Sequence, residues 1–199
     1  LREKFNALFE EIKRPGKDNL LDYMSNNGYF TAPASSAQSK HGALEGGLLI
    51  HSLNVTDILL KLRDTLAPQI SRESCIIVGL THDIGKAAYY GKDLYVPSMI
   101  QGKKKGEGII QSTAKPFEHN KDRLEIAHEY ISLHIVSKFI PLLEEEVQSI
   151  LFHNGQYVPS GRDVKNHEHP LTLLLHWADY WEAFVVNKDI VPVNSEVMF

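Results

Sequence analysis

Cys75-Ile76-Ile77-Val78-Gly79-Leu80-Thr81-His82-Asp83-Ile84-Gly85-Lys86 carries an apolar run directly into adjacent His and Asp. Packing alone would make His82 a core histidine and Asp83 a helix cap. A bound cation accounts for both, because imidazole nitrogen and carboxylate oxygen are metal ligands. Successive helical residues point about 100° apart, so the two side chains converge on one ion only where the backbone turns at a helix end. Gly85 is expected to supply that turn. Upstream, Ser71 followed by Glu73 and Ser74 reads as an N-cap with an acidic first turn, which predicts a helix from there to the doublet.

Before that helix, Leu48, Leu49, His51, Ser52, Val55, Ile58, Leu59 and Leu62 repeat at helical spacing after Gly46-Gly47, with His51 on the apolar face. Phe5, Leu8, Phe9 and Ile12 describe an N-terminal helix ended by Arg14-Pro15-Gly16. Asp18 is expected to cap a second that closes at Asn26-Asn27-Gly28. The stretch from Tyr29 to Glu45 reads as an ordered loop.

After the doublet, helical periodicity fails. Apolar runs at 94–100 and 108–112 flank Gly102-Lys103-Lys104-Lys105-Gly106, which predicts a β-hairpin inserted within 90–120 and a solvated lysine tip. Helix is expected again after Asp122, with Leu124, Ala127, His128, Ile131, Ile135 and Phe139 on one stripe. A further helix over 142–152 ends at His153-Asn154-Gly155. Pro170 opens the last, over 171–186, on which Trp177 and Trp181 are expected in the core.

The 199 residues and 43% hydrophobic content predict a single domain over 1–199, with scaffold helices in 2–27 and a functional core over 29–187. A net charge of -4 argues against a broad basic field for duplex nucleic acid. Cys75, alone and within an apolar run, reads as a small buried hydrophobe and rules out internal disulfides, which suits a reducing compartment. With no long apolar stretch and no secretion signal, no membrane span and a cytoplasmic location are expected. The chain begins at Leu1 and not at Met, so further residues are expected to precede it.

His51, His82-Asp83, His128, His153 and Asp179 place one or two ligand-type residues on each of five predicted helices. Four His and two Asp exceed one tetrahedral site and suffice for two metals sharing a carboxylate. Mn, Fe, Ni, Co and Zn suit this donor set, with Mg a further candidate. His176, one turn before Asp179, shares its face; His134 falls off the line of His128; His167 and His169 read as solvent-facing loop residues.

In this ordered series, and in Phe30-Thr31-Ala32-Pro33-Ala34-Ser35 followed by His41-Gly42-Ala43-Leu44-Glu45-Gly46-Gly47-Leu48-Leu49-Ile50-His51-Ser52-Leu53-Asn54-Val55, the chain resembles the HD-domain superfamily. Its members are all-helical, mostly metal-dependent phosphohydrolases named for a His-Asp doublet. The resemblance covers roughly residues 29–187, and the chain is similar to a group of small HD proteins found in bacteria and their phages. It implies an all-α helical bundle carrying the small hairpin. It further implies that His51, His82, Asp83 and Asp179 hold a first metal, that Asp83 bridges to a second, and that His128 and His153 complete the second site. Lys86 would lie near a substrate phosphate, and His41 would touch substrate or orient a ligand. Where comparable proteins carry a His-Gly-Glu-Lys-Ser type segment, this chain has His128-Glu129-Tyr130-Ile131-Ser132, a departure that bears on substrate identity.

The expected function is metal-dependent hydrolysis of a phosphate ester, with Asp83 and Lys86 in the reacting centre. The expected partner is a phosphorylated small molecule, a nucleotide or a nucleic-acid end. Two other readings stay open from sequence. One is a di-iron oxygenase, since some HD proteins with four His and two Asp activate oxygen; the other is a nucleotide-sensing domain without turnover. Oligomeric state has no signature in the chain.

Overall fold

The computed structural model describes residues 1–37, 42–102 and 108–186. Its α-helices are α1 (Arg2–Phe9), α2 (Lys17–Asn26), α3 (Gly47–Leu66), α4 (Arg72–Thr81), α5 (His128–Phe139), α6 (Glu144–Phe152) and α7 (Pro170–Phe184). Between α4 and α5 lie four short strands, β1 (Tyr95–Pro97), β2 (Met99–Gln101), β3 (Ile109–Gln111) and β4 (Phe117–His119). The architecture is all-α with one small hairpin, as the sequence predicts.

The apolar run of α4 is explained by its place at the centre of the bundle. Cys75, Ile76, Ile77, Val78 and Leu80 are all fully buried, because α4 is packed between α3, α6 and α7. Burial pushes the Cys75 thiol up to about 11, which suits its reading as a hydrophobe. Gly79 sits where α3 crosses, and a Cβ there would stand 2.5 Å from Thr56 Oγ1, so this approach requires glycine. Around this centre α3 packs on α7, and α6 on α5 and α7. At the N-terminus Phe5, Phe9 and Ile12 join the core. Arg14 ties this segment to α6 through the buried Glu146, at 2.7 Å, and to Glu73 at 3.3 Å.

Several boundaries differ from expectation. α1 stops at Phe9, and Ile12 is buried beyond its end. Gly16, not Asp18, caps α2, and Asp18 lies in the first turn. Residues 123–127 are not helical and Leu124 is exposed. Arg123 holds this segment against the turn after the doublet by donating to the Gly85 and Ala87 carbonyls, at 2.6 and 2.9 Å. α6 begins at Glu144, where Glu146 accepts from the Leu143 amide at 2.8 Å, and α7 ends at Phe184.

The insertion is one hairpin in two ladders. Met99 pairs opposite Gln111 in the outer ladder, and Tyr95 opposite His119 in the inner one. Strand β4 lies outside the two apolar runs that predicted the hairpin. Trp177 and Trp181 are not core residues. They are 49% and 55% exposed, because α7 turns Leu171, Leu174, Leu175, Ala178 and Glu182 inward instead. His41 and Lys103-Lys104-Lys105 lie outside the described residues. No helix among the described residues is long and apolar enough to cross a membrane.

Candidate metal centre

Helix ends deliver most of the ligand-type side chains. His82 is the C-terminal cap of α4, Asp83 follows it, and a 3-10 turn at Ile84–Lys86 carries the chain away. The backbone therefore changes course at Asp83, before Gly85. Gly85 matters for a different reason. A Cβ there would meet the His128 carbonyl oxygen at 2.2 Å, so glycine lets the N-terminus of α5 close over the doublet. Its amide donates to Ser132 Oγ at 2.9 Å. His128 is the first residue of α5 and His153 the C-terminal cap of α6. His51 and Asp179 come from within α3 and α7.

These residues converge on Asp83. His51 Nε2 lies 3.2 Å from Asp83 Oδ2, 3.2 Å from His82 Nε2 and 3.2 Å from Asp179 Oδ1. On the other carboxylate oxygen, Oδ1, His128 Nε2 stands at 3.0 Å and His153 Nε2 at 3.5 Å. Three groups can each hold a metal, their ligand atoms all within 4.8 Å of one another: His51, His82 and Asp83; His82, His153 and Asp179; Asp83, His128 and His153.

The outward-facing nitrogens say what the centre is built to hold. His82 Nδ1 bonds the Gly79 carbonyl at 3.0 Å, and His153 Nδ1 bonds the Ile150 carbonyl at 2.8 Å. A carbonyl only accepts, so each Nδ1 carries a proton and each ring turns its Nε2 inward. A carboxylate does the same for His51, whose Nδ1 lies 2.6 Å from Glu182, while Glu129 stands 3.4 Å from His128 Nδ1 without a hydrogen bond. Four imidazole Nε2 atoms and two carboxylates thus face one another. Asp83 Oδ1 and His128 Nε2 are buried without a hydrogen bond. Such a set is satisfied by cations, and an outer acceptor like those behind His51, His82 and His153 is what metal sites use to orient the ring.

Without metal, charge is balanced by protons. Burial works against the charge on His51, but Asp179, Asp83 and Glu182 outweigh it and raise its pKa well above 6.5. His82 is dominated by burial and is pushed down to about 3. Burial also opposes the charge on Asp83, yet Lys86, His82 and His128 hold it well below the usual carboxylate range. Lys86 Nζ contacts Asp83 Oδ2 at 2.6 Å.

Lys86 also stands where three clefts meet. The largest, of about 550 Å³, runs under the hairpin past Thr31, Glu45, Tyr95 and Gln111. A second, of about 310 Å³, is lined by Tyr95, His119, Arg123 and His128. A third, of about 260 Å³, is bounded by His153, Asp179, Tyr157, Tyr180 and Phe184.

The structure thus brings together His51, His82, Asp83, Lys86, His128, His153 and Asp179. His176 lies behind the centre, its Nδ1 2.8 Å from the His153 carbonyl. His134 faces Tyr89, away from the centre. His167 and His169 are exposed, and His169 caps α7 through the Leu171 amide. Sequence reasoning missed Glu182, Glu129 and Arg123. Glu182 had a signal, being a second carboxylate one turn beyond Asp179 on an otherwise apolar helix.

The HD-domain family model matches residues 48–183. Neither a curated protein nor a solved structure matches the chain.

Proposed function

The chain belongs to the HD-domain family of metal-dependent phosphohydrolases, and from that premise we propose that it hydrolyses a phosphate ester of a nucleotide or nucleic-acid end at a two-metal centre. The observation that carries this reading is the division of Asp83. Its Oδ2 faces His51 and His82, near Asp179, while its Oδ1 faces His128 and His153. A carboxylate with histidines beside both oxygens would offer one oxygen to each of two ions.

When bound, such a metal pair supplies a water of lowered pKa and neutralises charge developing on the phosphoryl oxygens. The chain's own residues do the rest. Glu182 keeps His51 turned so that its Nε2 faces inward. Lys86 holds Asp83 Oδ2 with one N–H and, at the junction of the three clefts, can direct another to a phosphoryl oxygen as a point charge.

The test joins metal content to turnover. Protein purified without chelator is expected to hold about two metals per chain, falling towards one in His128→Ala and His153→Ala. Loaded with Mn, it is expected to cleave a nucleotide or a phosphodiester without consuming oxygen. Metal-loaded protein that turned over no phosphate ester, or that formed product only with oxygen, would overturn the proposal.

A further inference from the structure

The third cleft carries a feature that metal chemistry does not use. Tyr157, from the turn after His153, stacks on Tyr180 with ring centroids 5.5 Å apart and planes 17° from parallel. Tyr180 continues to Phe184, one turn along α7, at 4.5 Å and 32°. This aromatic wall is open: Tyr157 is 71% and Tyr180 41% exposed. The cleft it bounds also contains Lys86, His153 and Asp179. A ligand against the wall therefore has its other end at the candidate metal centre.

We infer that Tyr157, Tyr180 and Phe184 form a stacking subsite for a nucleobase carried by the phosphate ester that is cleaved at this centre. The inference rests on the phosphohydrolase reading and adds to it the place where the substrate's base is held. Three arguments select a base as the occupant. At about 260 Å³ the cleft is below the ~300–1,000 Å³ of sites that enclose whole small molecules, so it takes one part of a ligand. It is too small for a partner helix, whose diameter with side chains is ~10–12 Å. The part it takes is planar and apolar, because the wall is a run of partly exposed aromatic rings. The remainder of the ester extends past Lys86 into the wider cleft under the hairpin.

The test is equilibrium binding to metal-loaded protein, with adenosine 5′-methylenephosphonate, whose P–C bond resists hydrolysis, and its base-free ribose counterpart. The adenosine probe is expected to bind about tenfold tighter or more, in keeping with the strength of base–aromatic stacking. Tyr157→Ala and Tyr180→Ala are expected to remove most of that advantage, and Tyr157→Phe to retain it. Equal affinity for the two probes, binding by neither, or alanine variants indistinguishable from wild type would overturn the subsite. The two readings fail separately. Tyrosine-dependent binding of the adenosine probe without hydrolysis of any nucleotide keeps the subsite and rejects the phosphohydrolase. Hydrolysis of base-free esters with equal probe affinity does the reverse.

Discussion

Asp83→Asn keeps the shape of the side chain but removes the charge that both groups of histidines share. We expect metal content to fall to well under one per chain and turnover by at least about 100-fold, checked by elemental analysis beside a rate measurement. Glu182→Gln is a finer probe, because Gln can still accept from His51 Nδ1 but no longer makes that ring more basic. Metal affinity is expected to drop by about 10- to 100-fold in a chain that stays folded, read by titration with a competing chelator. The histidines also set opposite pH limbs in the metal-free protein. His51 has a raised pKa, so its stabilisation is complete below 6.5 and is lost as pH rises through the raised value. His82 is held neutral down to about 3, so stability is lost as pH falls from 6.5 towards 3 and the unfolded state takes up the proton. Metal replaces the proton on His51. Melting temperature against pH is therefore expected to decline on the alkaline side with chelator present and to hold there with metal bound.

At the level of elements, the site depends on how closely α5 approaches the turn after the doublet. Gly85→Ala puts a Cβ 2.2 Å from the His128 carbonyl oxygen and 2.9 Å from Ser132 Oγ. Overpacking of this kind costs about 1–3 kcal/mol. Because α5 brings only His128, the Oδ1 side of Asp83 is expected to lose metal first, so a chain with about one metal and a lowered melting temperature is the predicted outcome. The elements also show how much could be foreseen. Ser71, as a cap, and the apolar run of α4 made that helix readable from local chemistry. The start of α5 was not readable, because Leu124 fits a helical stripe by spacing while Arg123 takes its carbonyl partners from the turn after α4, 36 and 38 residues away in sequence.

Across the whole molecule, Arg14 links the N-terminal helices to α6 by pairing with a fully buried Glu146. Arg14→Ala leaves that carboxylate without its cation, and breaking a buried pair in this way costs about 3–5 kcal/mol. Chemical denaturation should show this loss, with part of it recovered in the Arg14→Ala, Glu146→Ala double variant. Sequence by itself determined the all-α class, the positions of most helices and the ligand-type residues, since each rests on periodicity, caps or residue chemistry within a short stretch. It misplaced Trp177 and Trp181, because a helical stripe does not say which of its faces meets the core. The resemblance implied that Asp83 is shared between two histidine groups; the distances over which it is shared, the carboxylates behind His51 and His128, and the aromatic wall beside Lys86 were decided only by tertiary structure. These are distances between α3, α4, α5, α6 and α7, set by how buried helices pack, and no local stretch of chain contains them.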